Sequence, residues 1–268
     1  MDQHGTRLYP SMEFTKFQQR CISLVDETTS RGRHCLRSAV DHLKKAWEIK
    51  EIDANMAVFR GITAEEEAAS ALMFVLKERG YQEADKLKPQ DHRHKNAIMP
   101  FIEIVRMFHM QSLEQSKLIL KLQIRETEGV LPSHLGLAVR VQVGGEEKDA
   151  YPIPPLNFAT TINGLPPSYK VQINELGLEL GTTSIMSYIK QEANLRNRIL
   201  YASPDGFPVV EKLSDGFLDF RKSQVFRLMN IYLLIQPYAE IQPFVQNSLN
   251  AFLAMLGAIE GTGLNPAL

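Results

Sequence analysis

Apolar residues recur at helical spacing in two parts of the chain, residues 36–108 and residues 182–260. In both parts they follow the three- and four-residue steps of a helix that buries one face. Between these parts, the spacing changes to alternation of apolar and polar residues, which is typical of strands. The pattern therefore predicts helices in the front and rear of the chain and a sheet between them.

The front part contains one clear interruption of the helical spacing, at Gly61. Thr63 and Glu66 follow it with the three-residue spacing of a capping box, and an acidic triplet stands where the positive end of a helix dipole would be. We therefore predict one helix over about residues 36–60 and a second over 64–79, ended by a C-cap at Gly80.

Further helices are predicted from the same spacing on both sides of the alternating region. Thr182-Thr183-Ser184 is a plausible N-cap, and Ser203-Pro204-Asp205-Gly206 is a strong turn signal. The predicted helices cover residues 17–26, 97–110, 182–201, 218–235 and 241–259.

The alternating region contains two predicted strands, over residues 118–126 and 136–143. Gly144-Gly145 predicts a turn after the second strand. The proline-rich residues 151–155 are expected to be extended but not in a central strand, because proline lacks the N–H that a sheet requires. Residues 117–175 are therefore predicted to form a small β-rich insertion.

The two helical parts bury their apolar stripes only if they pack together. The predicted fold class is therefore α+β, a mainly helical bundle with a β-rich insertion. Its segments are an N-terminal arm at 1–35, the first half of the bundle at 36–112, the insertion at 113–178, the second half at 179–260 and a tail at 261–268.

Composition limits the classes of function. The 268 residues carry a formal net charge of −1, which argues against a surface that binds nucleic acid over its whole extent. Cys21 and Cys35 provide no disulfide framework. No secretion signal is evident, and the most apolar run, Ile231–Ile235, is followed by Gln236 and Pro237. A cytoplasmic protein with no membrane association, no cofactor and no metal is expected.

The densest group of cationic or protonatable residues is His92-Arg93-His94-Lys95. The simplest interpretation is a solvated loop and helix start. The functional interpretation is contact with an anion or an RNA phosphate, for which Arg and Lys are suited. Metal binding by His92 and His94 is less favoured, because their two-residue spacing suits a strand whereas the following sequence is helical.

A second candidate segment is Asn194–Tyr201 (NLRNRILY), near the end of a predicted helix. Arg196 and Arg198 are either solvent-facing charges, contacts to RNA or part of a dimer interface. Arg37 and His42, earlier in the chain, have a similar Arg-x4-His spacing. However, Asp41 and Lys45 at the same place are spaced as an ordinary helical ion pair.

Together these features resemble the HEPN-type helical proteins and, more loosely, their abortive-infection V relatives. In that family a glutamate-rich second helix, here residues 64–76, is followed by a His and Lys pair, here His92 and Lys95. A later helix bears Arg, a polar residue that is often Asn, a short spacer and His. This chain has Arg196 and Asn197, but Tyr201 stands where the family has His.

The resemblance implies metal-independent RNA cleavage in which Arg196 stabilises charge, Asn197 positions the substrate and His92 or Tyr201 serves as acid and base. Imidazole exchanges a proton near neutral pH, whereas an unperturbed phenol titrates near about 10. Because Tyr201 stands in place of the His, the resemblance supports the fold better than the nuclease activity. Arg93, Lys95 and Arg198 are the expected RNA-binding residues.

The leading hypothesis is a bacterial or phage-related HEPN-like protein that cleaves or binds RNA in a defence or toxin–antitoxin setting, as a homodimer. Whether it is an enzyme stays open. The alternative is a non-catalytic interaction protein that dimerises through its helices and recruits a protein partner through residues 117–175. A small-molecule enzyme has no motif to support it.

Overall fold

The computed structural model describes residues 11–116, 118–126, 133–179, 184–202, 206 and 209–260. Within these residues the chain forms eight α-helices, a short 3-10 helix and a three-stranded antiparallel sheet. The helices are α1 Lys16–Glu27, α2 Arg31–Ile49, α3 Ala54–Glu78, α4 His92–Ser116, α5 Lys170–Glu179, α6 Ile185–Leu200, α7 Asp215–Ile235 and α8 Pro243–Glu260, and the 3-10 helix is Ala84–Lys86. The strands are β1 Ile119–Arg125, β2 His134–Val143 and β3 Glu146–Ala150.

The break between the first two long helices lies earlier than predicted. It falls between Ile49 and Ala54, where the Asp53 side chain accepts a hydrogen bond of 2.9 Å from the Met56 N–H. Helix α3 then continues through the expected break, and the Thr63 hydroxyl donates within the helix to the Phe59 carbonyl. The predicted capping box was therefore wrong, because Asp53 caps the helix ten residues upstream.

The end of α3 agrees with the prediction. Gly80 has a φ of +71°, the left-handed conformation that glycine adopts without steric cost. The Tyr81 N–H donates to the Leu76 carbonyl and the Gly80 N–H donates to the Lys77 carbonyl, both at 3.1 Å. These two hydrogen bonds form a Schellman motif, which satisfies carbonyls that the helix end leaves open.

The front and rear helices share one apolar core, as expected. Helix α3 packs between α2 and α7, and α6 and α8 pack against α4. The largest fully buried side chains come from both parts of the chain and include Leu36, Leu43, Met73, Ile104, Leu218, Leu228, Met229 and Tyr232. Neither helical part could bury its stripe without the other.

Tyr232 joins the two parts by polar contacts inside this core. Its hydroxyl lies 3.1 Å from the Thr28 hydroxyl and is also hydrogen-bonded to Ser30, in the link between α1 and α2. The same ring lies against Gly32, where an added Cβ would meet the ring carbon Cε2 at 2.6 Å. Glycine at position 32 is therefore required by the close approach of α7.

The sheet confirms both predicted strands and adds a third. The strand order is β1-β2-β3, with Arg125 opposite His134 and Val143 opposite Glu146. Gly144 and Gly145 form the predicted turn, both with positive φ. Strand β3 (EEKDA) was not predicted because it lacks apolar alternation, and its residues are exposed in the structure.

The sheet and the N-terminal segment are less separate from the bundle than predicted. Leu135 of β2 is fully buried in the shared core, and helix α5 lies within the segment 113–178 that was expected to be β-rich. Within the predicted arm 1–35, Cys21 and Leu24 of α1 are buried, and α2 already begins at Arg31. The predicted tail 261–268 and the turn residues 203–205 lie outside the described residues.

Among the residues described, no helix is both long and apolar enough to cross a membrane.

Gly32→Ala is predicted to lower the free energy of unfolding by about 1–3 kcal/mol, because the new methyl group overlaps the Tyr232 ring. The matched control is Gly216→Ala, at the second position of α7 as Gly32 is at the second position of α2. Gly216 is exposed and has room for a Cβ, so alanine there is expected to stabilise by up to about 1 kcal/mol. Urea unfolding of both variants measures this, and equal effects would contradict the close packing.

Candidate functional site

Three helices meet at one buried carboxylate, that of Glu66 in the middle of α3. The Glu66 side chain is only 2% exposed. A carboxylate buried to this degree is costly unless cations and hydrogen-bond donors surround it. The surrounding helices supply both.

Helix α4 contributes three partners from its first two turns. The Nδ1 of His92 lies 2.7 Å from Oε1 of Glu66, and Nδ2 of Asn96 lies 3.3 Å from the same oxygen. The Lys95 ammonium lies 3.6 Å from Oε2. His92, Lys95 and Asn96 have helical i, i+3 and i+4 spacing, so one face of α4 presents all three to the carboxylate.

Helix α6 contributes Arg196 to the same point. Its NH1 atom lies 3.8 Å from Oε2 of Glu66 and 3.3 Å from Nε2 of His92, and the guanidinium lies over the Phe59 ring. A guanidinium only donates and a carboxylate only accepts. The two contacts of His92 therefore correspond to a neutral imidazole that donates from Nδ1 to Glu66 and accepts at Nε2 from Arg196.

Exposure differs sharply between the members of this cluster, which we call the Glu66 cluster (Glu66, His92, Lys95, Asn96 and Arg196). The side chains of His92 and Arg196 are 35% and 30% exposed, whereas those of Lys95 and Glu66 are 10% and 2% exposed. The carboxylate thus holds the cluster from inside, and the imidazole and guanidinium are the groups that a ligand in solvent can reach.

The chemistry available to the Glu66 cluster is proton transfer and anion binding. A carboxylate bonded to Nδ1 fixes the orientation of the imidazole. Arg196 and Lys95 are positively charged and lie next to Glu66, although the half-buried Glu67 carboxylate also interacts with both of them. An arginine fork matches the geometry of a phosphate. The arrangement suits a phosphodiester.

A second histidine, His42 of α2, lies nearby. Its Nδ1 accepts from NH1 of Arg60 at 3.3 Å. Burial lowers the pKa of His42 below its ordinary value of 6.5, and the charge of Arg60 lowers it further. Arg37, which the sequence paired with His42, instead forms an ion pair with Asp26, and Asp41 and Lys45 form the helical ion pair that was the alternative.

Cys35 of α2 also lies in this region, but its thiol is unreactive. Burial raises the pKa of Cys35 to about 11, and the neighbouring Glu67 carboxylate adds to the effect. Because the thiolate is the nucleophilic form, a thiol with this pKa is not a nucleophile at neutral pH. Burial also raises the pKa of Glu67, against the opposing charge of Lys95.

Glu65, the residue before Glu66, forms a separate buried ion pair. Its Oε2 lies 2.6 Å from NH1 of Arg221 in α7, and NH2 of Arg221 lies 3.4 Å from Glu192 of α6. Burial raises the pKa of Glu65, and Arg221 opposes the shift. The acidic triplet is therefore not at a helix start as expected, because α3 begins at Ala54 and each of the first two glutamates faces its own cationic partners.

The other predicted site residues lie outside the Glu66 cluster. Asn197 and Arg198 are exposed, and Tyr201 is 66% exposed one residue beyond the end of α6. Arg93, at the start of α4, is paired with Asp91 at 2.8 Å. Among the described residues, no hydrogen bond or ion pair joins the side chain of Asn197, Arg198 or Tyr201 to the cluster.

His92, Lys95 and Arg196 were predicted from the sequence as site residues, but Glu66, which joins them, was not. Glu66 was interpreted as part of a capping box, and Asn96 and Phe59 were not singled out. A usable signal existed in the helical spacing of His92, Lys95 and Asn96, which predicts one polar face on an otherwise apolar helix. Nothing in the sequence indicated that this face would meet Glu66.

Comparison with known proteins gives no relative for this chain, since no family model, curated protein or solved structure matches it. Within the described residues, no group of three or more His, Cys, Asp or Glu side chains is arranged to hold a metal ion. The chemistry of the site must therefore be inferred from its own geometry.

Glu66→Gln is predicted to lower the free energy of unfolding by about 2–4 kcal/mol, because it leaves Lys95 and Arg196 without their buried counter-charge. The control is Glu103→Gln, which removes a surface partner of Arg106 and is expected to cost less than about 1 kcal/mol. Urea unfolding at neutral pH compares them. If Glu66→Gln costs no more than the control, the cluster does not depend on its carboxylate.

The pKa of His42 is predicted to respond in opposite directions to two substitutions. Arg60→Gln removes a nearby positive charge and should raise it, and Asp41→Asn removes a negative charge and should lower it further. Because the folded pKa lies below 6.5, the unfolded chain binds the extra proton, and His42 makes the protein less stable as the pH falls below 6.5. NMR titration of the His42 ring protons measures the shifts, and the same direction in both variants would contradict this electrostatic environment.

Proposed function

We propose that this chain is a HEPN-like protein that acts on RNA through the Glu66 cluster, as a metal-independent endoribonuclease. The observation that supports the proposal best is the contact of His92 with Arg196, 3.3 Å apart although they are 104 residues apart in sequence. It joins the His and Lys pair to the arginine of the late helix, the two features on which the family resemblance rests.

The proposed reaction is transesterification within the RNA chain. Nε2 of His92 takes the proton of a ribose 2′-OH, and the 2′ oxygen forms a bond to the adjacent phosphorus. The bond from phosphorus to the 5′ oxygen breaks, and the imidazolium returns its proton to that oxygen. The products are a 2′,3′-cyclic phosphate and a 5′-OH end, and no water or metal ion is consumed.

Arg196 would stabilise the phosphorane charge, with Lys95 adding a second positive charge behind it. Arg196 donates to His92 in the structure, so binding of a phosphate requires the guanidinium to turn from the imidazole to the substrate. Glu66 would orient His92 and stabilise the imidazolium, as a carboxylate does in other acid–base pairs. His92 is therefore a better candidate than Tyr201 for acid and base.

The remaining expected residues have supporting roles in this proposal. Asn197 and Arg198 are exposed beside Arg196 on α6 and would contact RNA flanking the scissile phosphate. Arg93 would contact RNA if its ion pair with Asp91 opened. The homodimer and the defence or toxin–antitoxin setting follow from the family resemblance alone and belong to the same proposal.

A second candidate function is partner binding without catalysis, favoured by the exposure of β1. Ile119, Leu120 and Leu122 on this edge strand are 47%, 43% and 38% exposed. An exposed apolar edge strand is a site where another chain can pair. Removing residues 117–175 would also remove the buried Leu135 and Tyr169, so a charged substitution such as Ile119→Lys is the suitable test of this function.

The ribonuclease proposal predicts cleavage of total RNA by the full chain in the presence of EDTA. His92→Ala and Arg196→Ala are each expected to lower the cleavage rate at least about 100-fold, because they remove the base and the charge on the transition state. Lys190→Ala, which removes an exposed positive charge from the same helix, is the matched control and is expected to change the rate less than about threefold. Tyr201→Phe should leave the rate unchanged.

Circular dichroism of each variant shows whether the fold is intact. Arg196→Lys keeps the positive charge at this position and is the conservative counterpart of Arg196→Ala. Absence of cleavage by the wild type, or equal rates for the wild type and Arg196→Ala, would overturn the nuclease proposal. Fluorescence anisotropy with a labelled RNA then tests RNA binding on its own. A chain that neither cleaves nor binds RNA would favour the partner-binding function.

A further inference from the structure

A cavity of about 400 Å³ is lined in part by α4, and none of its lining residues belongs to the Glu66 cluster. Side chains of α3, α4, α7 and α8 line it, together with β1, β2 and the segment that follows the sheet. Its walls are almost entirely apolar and include Met73, Phe101, Ile231, Leu234, Phe244 and Phe252. Such a volume is in the range of sites that bind small molecules.

Three polar residues line the cavity, namely Arg106, His109 and Ser248. Arg106 already has a hydrogen-bond partner, because its guanidinium donates to Glu103 through Nε at 2.8 Å and through NH2. The Nε2 atom of His109 and the Oγ atom of Ser248 are buried and have no hydrogen-bond partner among the described residues. A buried polar atom without a partner is unusual in a folded protein and is costly unless a ligand or water satisfies it.

We propose that this cavity binds a neutral apolar small molecule that carries one hydroxyl group, and that the hydroxyl forms a hydrogen bond with Nε2 of His109. A hydroxyl suits either tautomer of the imidazole, because it can donate or accept. This binding site is independent of the RNA-directed site.

The size of the cavity favours a molecule with one or two rings, or a chain of similar volume. An engineered apolar cavity of about 150 Å³ binds benzene, and this one is considerably larger. The aromatic neighbours of His109 favour a ligand with a ring, since the His109 ring lies 5.4 Å from that of Phe244. Phe244 itself is stacked on Phe158 at 4.7 Å.

The charge of the site disfavours an anionic ligand. Arg106, the one formally charged residue in the lining, is already paired with Glu103, and half of its side chain is in solvent. Burial lowers the pKa of His109, so its imidazole is neutral at pH 7. A carboxylate in this cavity would lose its hydration without gaining a counter-charge.

Two exposed apolar members of the lining mark an opening to solvent. Leu120 of β1 is 43% exposed and Phe158 is 42% exposed. Leu120 can be replaced without disturbing the core, because much of its side chain is already in solvent. Leu122, two residues further on the same strand, is 38% exposed and does not line the cavity.

Binding is tested with the full chain and the neutral fluorescent probe N-phenyl-1-naphthylamine. The proposal predicts saturable binding of one probe molecule per chain. Competition then uses 1-naphthol, naphthalene and 1-naphthoate, which share a ring system and differ in the polar group. We expect 1-naphthol to displace the probe about 3- to 10-fold more effectively than naphthalene, because one hydrogen bond contributes a difference of this size. We expect 1-naphthoate to be the weakest competitor of the three.

Variants assign the binding to this cavity. Leu120→Trp is expected to fill the opening and lower probe affinity at least about tenfold, whereas the matched control Leu122→Trp should bind as the wild type does. His109→Phe should keep the affinity for naphthalene but lose the advantage of 1-naphthol. This change in preference distinguishes a polar contact from a structural role, since a damaged cavity would lose both ligands.

The proposal is overturned if the probe does not saturate, or if Leu120→Trp and Leu122→Trp bind it equally. It is also overturned if 1-naphthoate competes as well as 1-naphthol, or if His109→Phe retains the preference for 1-naphthol. Thermal unfolding of each variant confirms that the fold is intact before binding is compared.

Discussion

The burial of one carboxylate, that of Glu66, is the constraint on which the arrangement of the helices depends. A buried charge is tolerated only where opposite charges and donors reach it, so α4 and α6 must dock with Lys95, His92 and Arg196 facing α3. The same requirement leaves an imidazole and a guanidinium at the surface, already oriented. The docking of the helices and the proposed chemistry therefore both depend on Glu66. The free-energy cost of leaving a buried charge without its partner limits which residues can replace the members of the Glu66 cluster.

Helix α3 is central because its two adjacent glutamates face different neighbours. Successive residues on a helix are about 100° apart, so Glu65 meets Arg221 of α7 while Glu66 meets α4 and α6. One helix therefore connects the front and rear of the chain through charge as well as through apolar packing. Tyr232 adds a third link, from α7 to the start of α2. None of the residues of these polar contacts lines the apolar cavity.

Much of the fold could be predicted from local pattern, and the errors have their causes in tertiary contacts. Long amphipathic stretches predicted α4, α7 and α8, and alternation predicted β1 and β2, because each of these elements buries one face. The break near Gly61 was wrong because this glycine serves close packing against Phe217 and Leu218 rather than ending a helix. Strand β3 and helix α5 were missed because pairing and docking, not their own composition, hold them in place.

The sequence by itself determined most of the helical and extended segments, with the exceptions of β3 and α5, and that the two helical parts need a common core. It also determined which residues carry cationic or protonatable side chains. Those properties depend on spacing and on side-chain type, which are local. Only the tertiary structure decided that His92 and Arg196 meet, across 104 residues, and that Tyr201 and Asn197 stay outside. It also decided that His109 lines an apolar cavity. Such pairings depend on how whole helices dock, and docking is fixed by the sum of many buried contacts that no single stretch of sequence contains.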